Sequence, residues 1–235
     1  MRVALLISGR LKCYNTRLIP LLSQSSYNVD LFASVNDQDG EYYDTARNKL
    51  SPWLRGLSIE PFSFCERFNK TFITRSPEGH MPFGQMSCFY NDRKSFELAT
   101  QYADENGFEY DAYLKYRSDI ITGSLPEISI GTDSEIFSVI PWNNHTAPVV
   151  TRDPIGYGEL VPWVSDAIVY GNREAMNKYT ETYDFCLEMI ELFSGDYPCN
   201  FEPSVTQNAH DKKLKINYFN SPYSLDPLDL SLIHV

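Results

Sequence analysis

Apolar residues fall in this chain as short continuous runs separated by longer stretches of helical spacing. Val3-Ala4-Leu5-Leu6-Ile7 is one such run, closed by Ser8-Gly9-Arg10, and it predicts a strand buried on both faces that opens directly into a turn. Leu18, Ile19, Leu21 and Leu22 are spaced for a helix over Thr16 to Ser25, and Val29 to Val35 predicts a second buried strand ending at Asn36-Asp37. A strand, a helix and a strand in that order predict a parallel pair. Glu41 to Leu54 then reads as a helix and Ile59 to Phe62 as a short edge strand, because Pro61 has no N–H to give to a ladder. Asn69 to Gly84 has no period and reads as an irregular loop.

From Gln85 to Asn106 a long helix is expected, with Met86, Phe89, Phe96, Ala99 and Tyr102 among its apolar positions and Gly107 as its stop. Tyr110 to Ile120 predicts a central strand and Ile136 to Ile140 another. Pro141 to Pro162, rich in Pro, Gly, Asn and His, reads as an extended loop of the kind that covers ligands. Ser165 to Gly171 predicts a strand, Arg173 to Phe193 a helix, Ser204 to Asp211 a short helix and Leu214 to Phe219 a last strand, with Pro222 to Val235 a surface tail. The expected fold class is α/β: one domain, 1–235, with a mostly parallel central sheet, in which 1–123 form one half, 124–221 the other and 222–235 the tail.

The composition sharpens this picture at a few points. A length of 235 residues with 43% hydrophobic residues suits one α/β domain, and no Pro- or Ser-rich linker divides the chain. A formal net charge of −11 argues against a general grip on a nucleic-acid backbone or an anionic membrane, so a phosphate partner has to be held locally. A bound divalent cation would supply the positive charge that the surface lacks. Sixteen Tyr and 14 Phe suit concave sites for sugar-like ligands as well as cores. Cys13, Cys65, Cys88, Cys186 and Cys199 show no Cys-x-x-Cys spacing and read as reduced cytoplasmic thiols. The apolar run after Met1-Arg2 is too short for a signal peptide or a membrane span.

The candidate chemistry centres on Arg117-Ser118-Asp119, at the end of the predicted central strand. Carboxylate oxygens at such a strand end are ligands for Mg²⁺ or Mn²⁺, and Arg117 beside Asp119 suits a metal-bound diphosphate. Alternatively, the two side chains share a strand face and pair with each other. Ser8, Gly9 and Arg10 follow the first strand, where a small residue admits a ligand to the backbone and a guanidinium can reach a base, ribose or phosphate. A plain turn with a solvated charge explains them equally well. Asn36 and Asp37 hold the corresponding place after the second strand, and Arg93 and Lys94 lie on the long helix within reach of a diphosphate. His80, His145, His210 and His234 have no partners at metal-ligand spacing and read as solvated or hydrogen-bonded.

Taken together, Ala4 to Leu11, Asp30-Leu31-Phe32, Tyr110-Asp111 and Lys115-Tyr116-Arg117-Ser118-Asp119-Ile120 resemble motifs of small GT-A glycosyltransferases of the microbial and large-virus kind, with weaker echoes at Ser165 to Gly171 and Phe201-Glu202. The resemblance implies a GT-A, Rossmann-like sandwich and a transferase moving sugar from a nucleotide-diphosphate sugar, a UDP-sugar by the same likeness, to a glycan or glycoprotein hydroxyl. In that family an Asp-x-Asp motif binds the metal that bridges the two phosphates. Here Arg117-Ser118-Asp119 stands in its place, leaving Asp119 as the single metal carboxylate and Arg117 to share the neutralisation. Asp166 matches the family's second acidic position and is a candidate general base or sugar-hydroxyl ligand, with Glu202 as the other candidate base. A nucleotidyltransferase and a noncatalytic glycan-binding module are the competing readings.

Overall fold

The structure, a computed structural model, describes residues 1–9, 11, 14–36, 40–60, 82–118, 120–140, 146–150, 157–165, 167–192, 201–221 and 224–225. The first strand, β1 (Arg2–Gly9), is buried from Val3 to Ile7, as a continuous apolar run in a two-faced sheet must be. Beside it in parallel lie β2 (Asn28–Asn36) and, on the other flank, β4 (Ala112–Tyr116). β3 (Leu54–Glu60) pairs with the outer side of β2. β9 (Ile168–Gly171) runs antiparallel between β4 and β6 (Glu135–Val139), and β10 (Lys215–Phe219) closes the far edge parallel to β6. The sheet order is therefore β10-β6-β9-β4-β1-β2-β3, mostly parallel, with strands from both halves of the chain in one sheet.

Helices cover both faces. The π-helical turn Tyr14–Leu18 leads into α1 (Ile19–Ser23), and with α2 (Gly40–Leu50) they place Leu18, Leu21, Tyr43, Ala46 and Leu50 against Val3, Leu5, Ile7, Leu31 and Val35. On the opposite face α3 (Pro82–Glu105), α4 (Arg173–Thr180), α5 (Thr182–Leu192) and α6 (Phe201–Asp211) pack Phe89, Phe96, Met176, Phe185 and Val205 against Ala4, Leu6, Phe32, Tyr113 and Val169. Burial of each large apolar side chain contributes about 1.5–3 kcal/mol, so these two clusters carry most of the driving force. The expected stop of α3 is realised by Gly107 at φ 67°, while Phe108 N–H closes back on Ala103 O at 3.1 Å.

Five elements differ from the sequence expectation. The helix expected over 41–54 ends at Leu50, because Pro52 cannot continue it; Trp53 O then accepts from Leu31 N–H at 2.8 Å and brings the chain into β3, which begins at Leu54 instead of Ile59, with positions 61 and 62 of the expected strand outside the described residues. The helix expected over 173–193 is two helices. Asn208 of α6 inserts its Nδ2 at the break, donating to Lys178 O at 2.9 Å and Thr182 Oγ1 at 3.0 Å and so taking up a carbonyl at the end of α4. Within the loop expected over 141–162, β7 (Thr146–Val150) and β8 (Tyr157–Pro162) pair antiparallel, with Pro148 and Pro162 at positions of a two-stranded ribbon that spare a ladder donor. Finally β11 (Ser224–Leu225), in the expected tail, pairs with β5 (Ile120–Ile121).

At the amino edge of the sheet a buried carboxylate ties three distant segments together. Asp30 Oδ2 accepts from Arg2 Nε and Nη2 at 2.9 and 2.7 Å and from Tyr110 Oη at 3.0 Å, while Oδ1 accepts from Arg55 Nε at 2.9 Å. The Arg2 guanidinium also lies 3.5 Å over the Phe108 ring. Burial, followed by the neighbouring Asp30 carboxylate, raises the Tyr110 hydroxyl well above its usual range, keeping it a neutral donor.

The far edge is pinned by a surface charge. Glu135 and Lys215 face each other in register and meet at 2.6 Å, and Glu135 also accepts from Thr132 N–H at 3.0 Å. The Lys215 hydrogen bond first, and the Thr132 backbone bond second, pull the Glu135 carboxyl down to about 2. Because the folded value lies below that of an unfolded glutamate, the link is at full strength above the unfolded value and is lost as pH falls through about 2. A carboxyl-carbon NMR titration should place the Glu135 midpoint near 2, and a midpoint near an ordinary glutamate would remove the pin.

Candidate active site

The strand directions gather one set of ends. β1, β2, β4 and β6 finish at the same edge, and antiparallel β9 begins there. Chain order reverses between β1 and β4, since the chain runs outward from β1 to β2 on one side and returns to β4 on the other. The crevice beyond the strand ends at such a reversal is where open α/β sheets bind ligands.

Ser8 and Gly9 end β1, half-buried, with Ser8 in register with Ser34 of β2. Gly9 has φ 87°, a left-handed conformation that suits glycine and turns the chain sharply at the edge. Asn36 is the last residue of β2. Arg117 follows β4, and its N–H donates to Ala167 O at 3.0 Å, with Ser118 buried next in sequence. On the other side of position 166, Ser165 N–H donates to Ser138 Oγ and Ala167 N–H to Ser165 Oγ, at 2.9 and 3.0 Å. The segments carrying Arg117-Ser118 and Ser165-Ala167 are thus hydrogen-bonded neighbours at the middle of the sheet. Arg10, Asp37, Asp119 and Asp166 lie outside the described residues.

Glu202 sits in the first turn of α6. Its carbonyl accepts from Thr206 Oγ1 at 2.6 Å, and that same hydroxyl accepts from Val164 N–H at 2.9 Å, which docks the start of α6 against the segment leading to β9. The two acidic residues expected to face the acceptor are therefore carried by segments in direct contact. Lys94 is placed differently: on α3 its ammonium meets the Glu97 carboxylate of the same helix at 3.1 Å.

Beneath these ends lies a buried polar layer that sequence reasoning left without a role. Lys115, on the α3-facing side of β4, is 3% exposed and meets Asp92 of α3, 5% exposed, at 2.8 Å. The Tyr179 ring centroid is 5.9 Å from the Lys115 ammonium. Alongside, Ser34 Oγ donates to Asn91 Oδ1 at 2.7 Å, and Asn91 Nδ2 donates to Ser87 O at 2.8 Å. A charge within an otherwise apolar strand covered on both faces is the sequence signal for such a layer, since a buried ion needs a partner. Its partners lie far away in sequence, on a helix whose own pattern does not mark them.

Among the described residues no three His, Cys, Asp or Glu side chains gather as a metal site. Ser8 and Ser118 bring hydroxyl oxygens to the ends of β1 and β4, the donor type that suits a hard cation. Among the described residues, no helix is long and apolar enough to cross a membrane. Cys186 is a buried free thiol.

No family model matches the chain. Nor does any curated protein match it in sequence. Among solved structures it is similar to the apo form of mouse xyloside xylosyltransferase 1, with a TM-score of 0.50 and 11% identity over 94% of this chain and 85% of that one. At that identity the likeness speaks for the fold alone, a mixed α/β architecture on a seven-stranded, mostly parallel sheet that is similar to a GT-A fold.

Proposed function

We propose that this protein is a metal-assisted glycosyltransferase that moves a sugar from a nucleotide-diphosphate sugar, a UDP-sugar on the motif resemblance, to a hydroxyl of a glycan acceptor. The observation that carries this reading is the hydrogen-bonded meeting of the Arg117-Ser118 and Ser165-Ala167 segments at the chain reversal of a GT-A sheet. Such a meeting supports a site in which a diphosphate is held at the end of β4 and the acceptor approaches from the segment before β9.

In this reading the diphosphate lies across the ends of β1 and β4, with Ser8, Gly9 and Arg10 toward the nucleotide and Asn36 and Asp37 toward the nucleoside. Arg117 faces the oxygens that gain charge as the glycosidic bond to the donor breaks, and a fixed guanidinium there lowers the barrier electrostatically. A Mn²⁺ or Mg²⁺ ion held by Asp119 would supply further charge stabilisation when bound. If the reaction inverts the anomeric centre, Asp166 or Glu202 takes the acceptor hydroxyl proton. If it retains configuration, the departing diphosphate accepts that proton. Lys94, held by Glu97, serves the diphosphate only by leaving that pair.

Calorimetric titration with UDP-sugars, with and without Mn²⁺, tests the assignment. Asp119→Ala should weaken Mn²⁺-dependent donor binding by about a hundredfold, the effect of losing a charge-assisted contact of roughly 3 kcal/mol, with the thermal midpoint unchanged. Manganese-dependent binding undiminished in that variant would remove Asp119 from the role. Turnover that releases pyrophosphate instead of nucleoside diphosphate would identify a nucleotidyltransferase.

A further inference from the structure

A second concavity, open to solvent, lies on the sheet face opposite α3, bounded by Ser124 to Ser129 after β5 and by Asn220 and Ser221 after β10, with a volume of about 540 Å³. That size falls within the range of roughly 300–1,000 Å³ typical of small-molecule sites. Its floor is aromatic: Phe137 and Tyr170 stack at 4.8 Å with their planes 5° apart, and Phe219 packs on Tyr170 at 5.6 Å. Tyr170 is fixed in place, its hydroxyl donating to Glu127 O at 3.2 Å and accepting from Ser129 N–H at 3.3 Å. Phe137 and Phe219 are only half-buried, so the floor retains an open apolar surface.

The rim has the opposite character. Ser124, Asn220 and Ser221 line it, and among the described residues their side chains make no hydrogen bond. Among the described residues of the lining Glu127 is the single charged side chain, so these residues offer no cation to a phosphate or a nucleotide. A wholly apolar ligand would strip water from the amide and hydroxyls without replacing their bonds. A flat C–H face over an aromatic floor, with hydroxyls directed at amide, hydroxyl and carboxylate groups, is the surface of a sugar ring.

We propose that this cavity is a saccharide-binding site for an uncharged pyranose residue, separate from the strand-end crevice. The lining alone carries the assignment, which stands whether or not the crevice transfers sugar.

Saturation-transfer difference NMR with xylobiose, cellobiose, lactose and maltose at millimolar concentration tests it, alongside the variants Asn220→Trp and Ser221→Trp, which fill the rim from accessible positions. At least one disaccharide should receive saturation in the wild type, and either folded variant should weaken its binding by about tenfold or more. UDP binding, measured in parallel, should be unchanged in both variants, so a failure of this site is distinct from a failure of the donor site. Absence of transfer to all four sugars, or transfer undiminished in every variant that folds, overturns the proposal.

Discussion

Asp30→Ala should lower the unfolding free energy by about 3 kcal/mol, read as a shifted urea midpoint at constant slope. The carboxylate is 3% exposed, whereas Arg2 and Arg55 keep 33% and 32% of their side-chain surface in water. Both guanidiniums can therefore rehydrate when the acid is removed, which holds the loss at the lower end of the range for breaking a buried ion pair. Tyr110 cannot rehydrate in the same way, since it is buried at 3% exposure and its hydroxyl donates to this acid. Asp30→Asn keeps an oxygen acceptor for the tyrosine but gives up the charge, so it should lose roughly half as much. A midpoint unmoved by either variant would mean that the arginines and Tyr110 hold the amino edge without the acid.

Lys115→Met should destabilise by about 3–5 kcal/mol, because it leaves the Asp92 carboxylate under α3 facing a thioether where an ammonium stood. Exposures of 3% and 5% leave water little access to repair the loss. The same reasoning makes the pair replaceable: Lys115→Met with Asp92→Leu removes both charges, fills the volume with apolar atoms and should return most of the lost stability. A double variant as unstable as the single one would trace the loss to packing around Lys115, with Tyr179 the first place to look. Arg117 lies two residues beyond Lys115, so donor affinity in the stable double variant reports whether this layer also fixes the strand end.

The strands were legible wherever burial on both faces forced a continuous apolar run, as in Val3 to Ile7, because that pattern has few alternative explanations. The long helix was legible from its spacing and from Gly107. Elements governed by distant partners were not. The break between α4 and α5 depends on Asn208, more than twenty residues downstream, supplying a side chain to the backbone of the first helix. The β7–β8 ribbon was hidden by prolines, which local propensity counts against a strand although an edge position tolerates them.

Around the candidate site, the pattern of apolar runs put Ser8 and Gly9 at the end of a strand and Arg117 and Ser118 at the end of another, and the folded chain has them at the ends of β1 and β4. Asp30 and Lys115 stood inside the same motifs without a role. A charged letter in an apolar strand announces that a partner exists, but Arg2, Arg55, Tyr110 and Asp92 are named only by the folded chain. The Lys94 ion pair with Glu97 was equally available in the sequence, since the two are three residues apart on a helix.

β9 starts at the edge where its neighbours stop, and this orientation separates two kinds of evolutionary freedom. In the proposed reaction, residues before it can be exchanged to alter what confronts the acceptor, while the ladder from Tyr113 to Tyr116 keeps its alignment. Under that reading, diversification of one substrate proceeds without retuning the grip on the other.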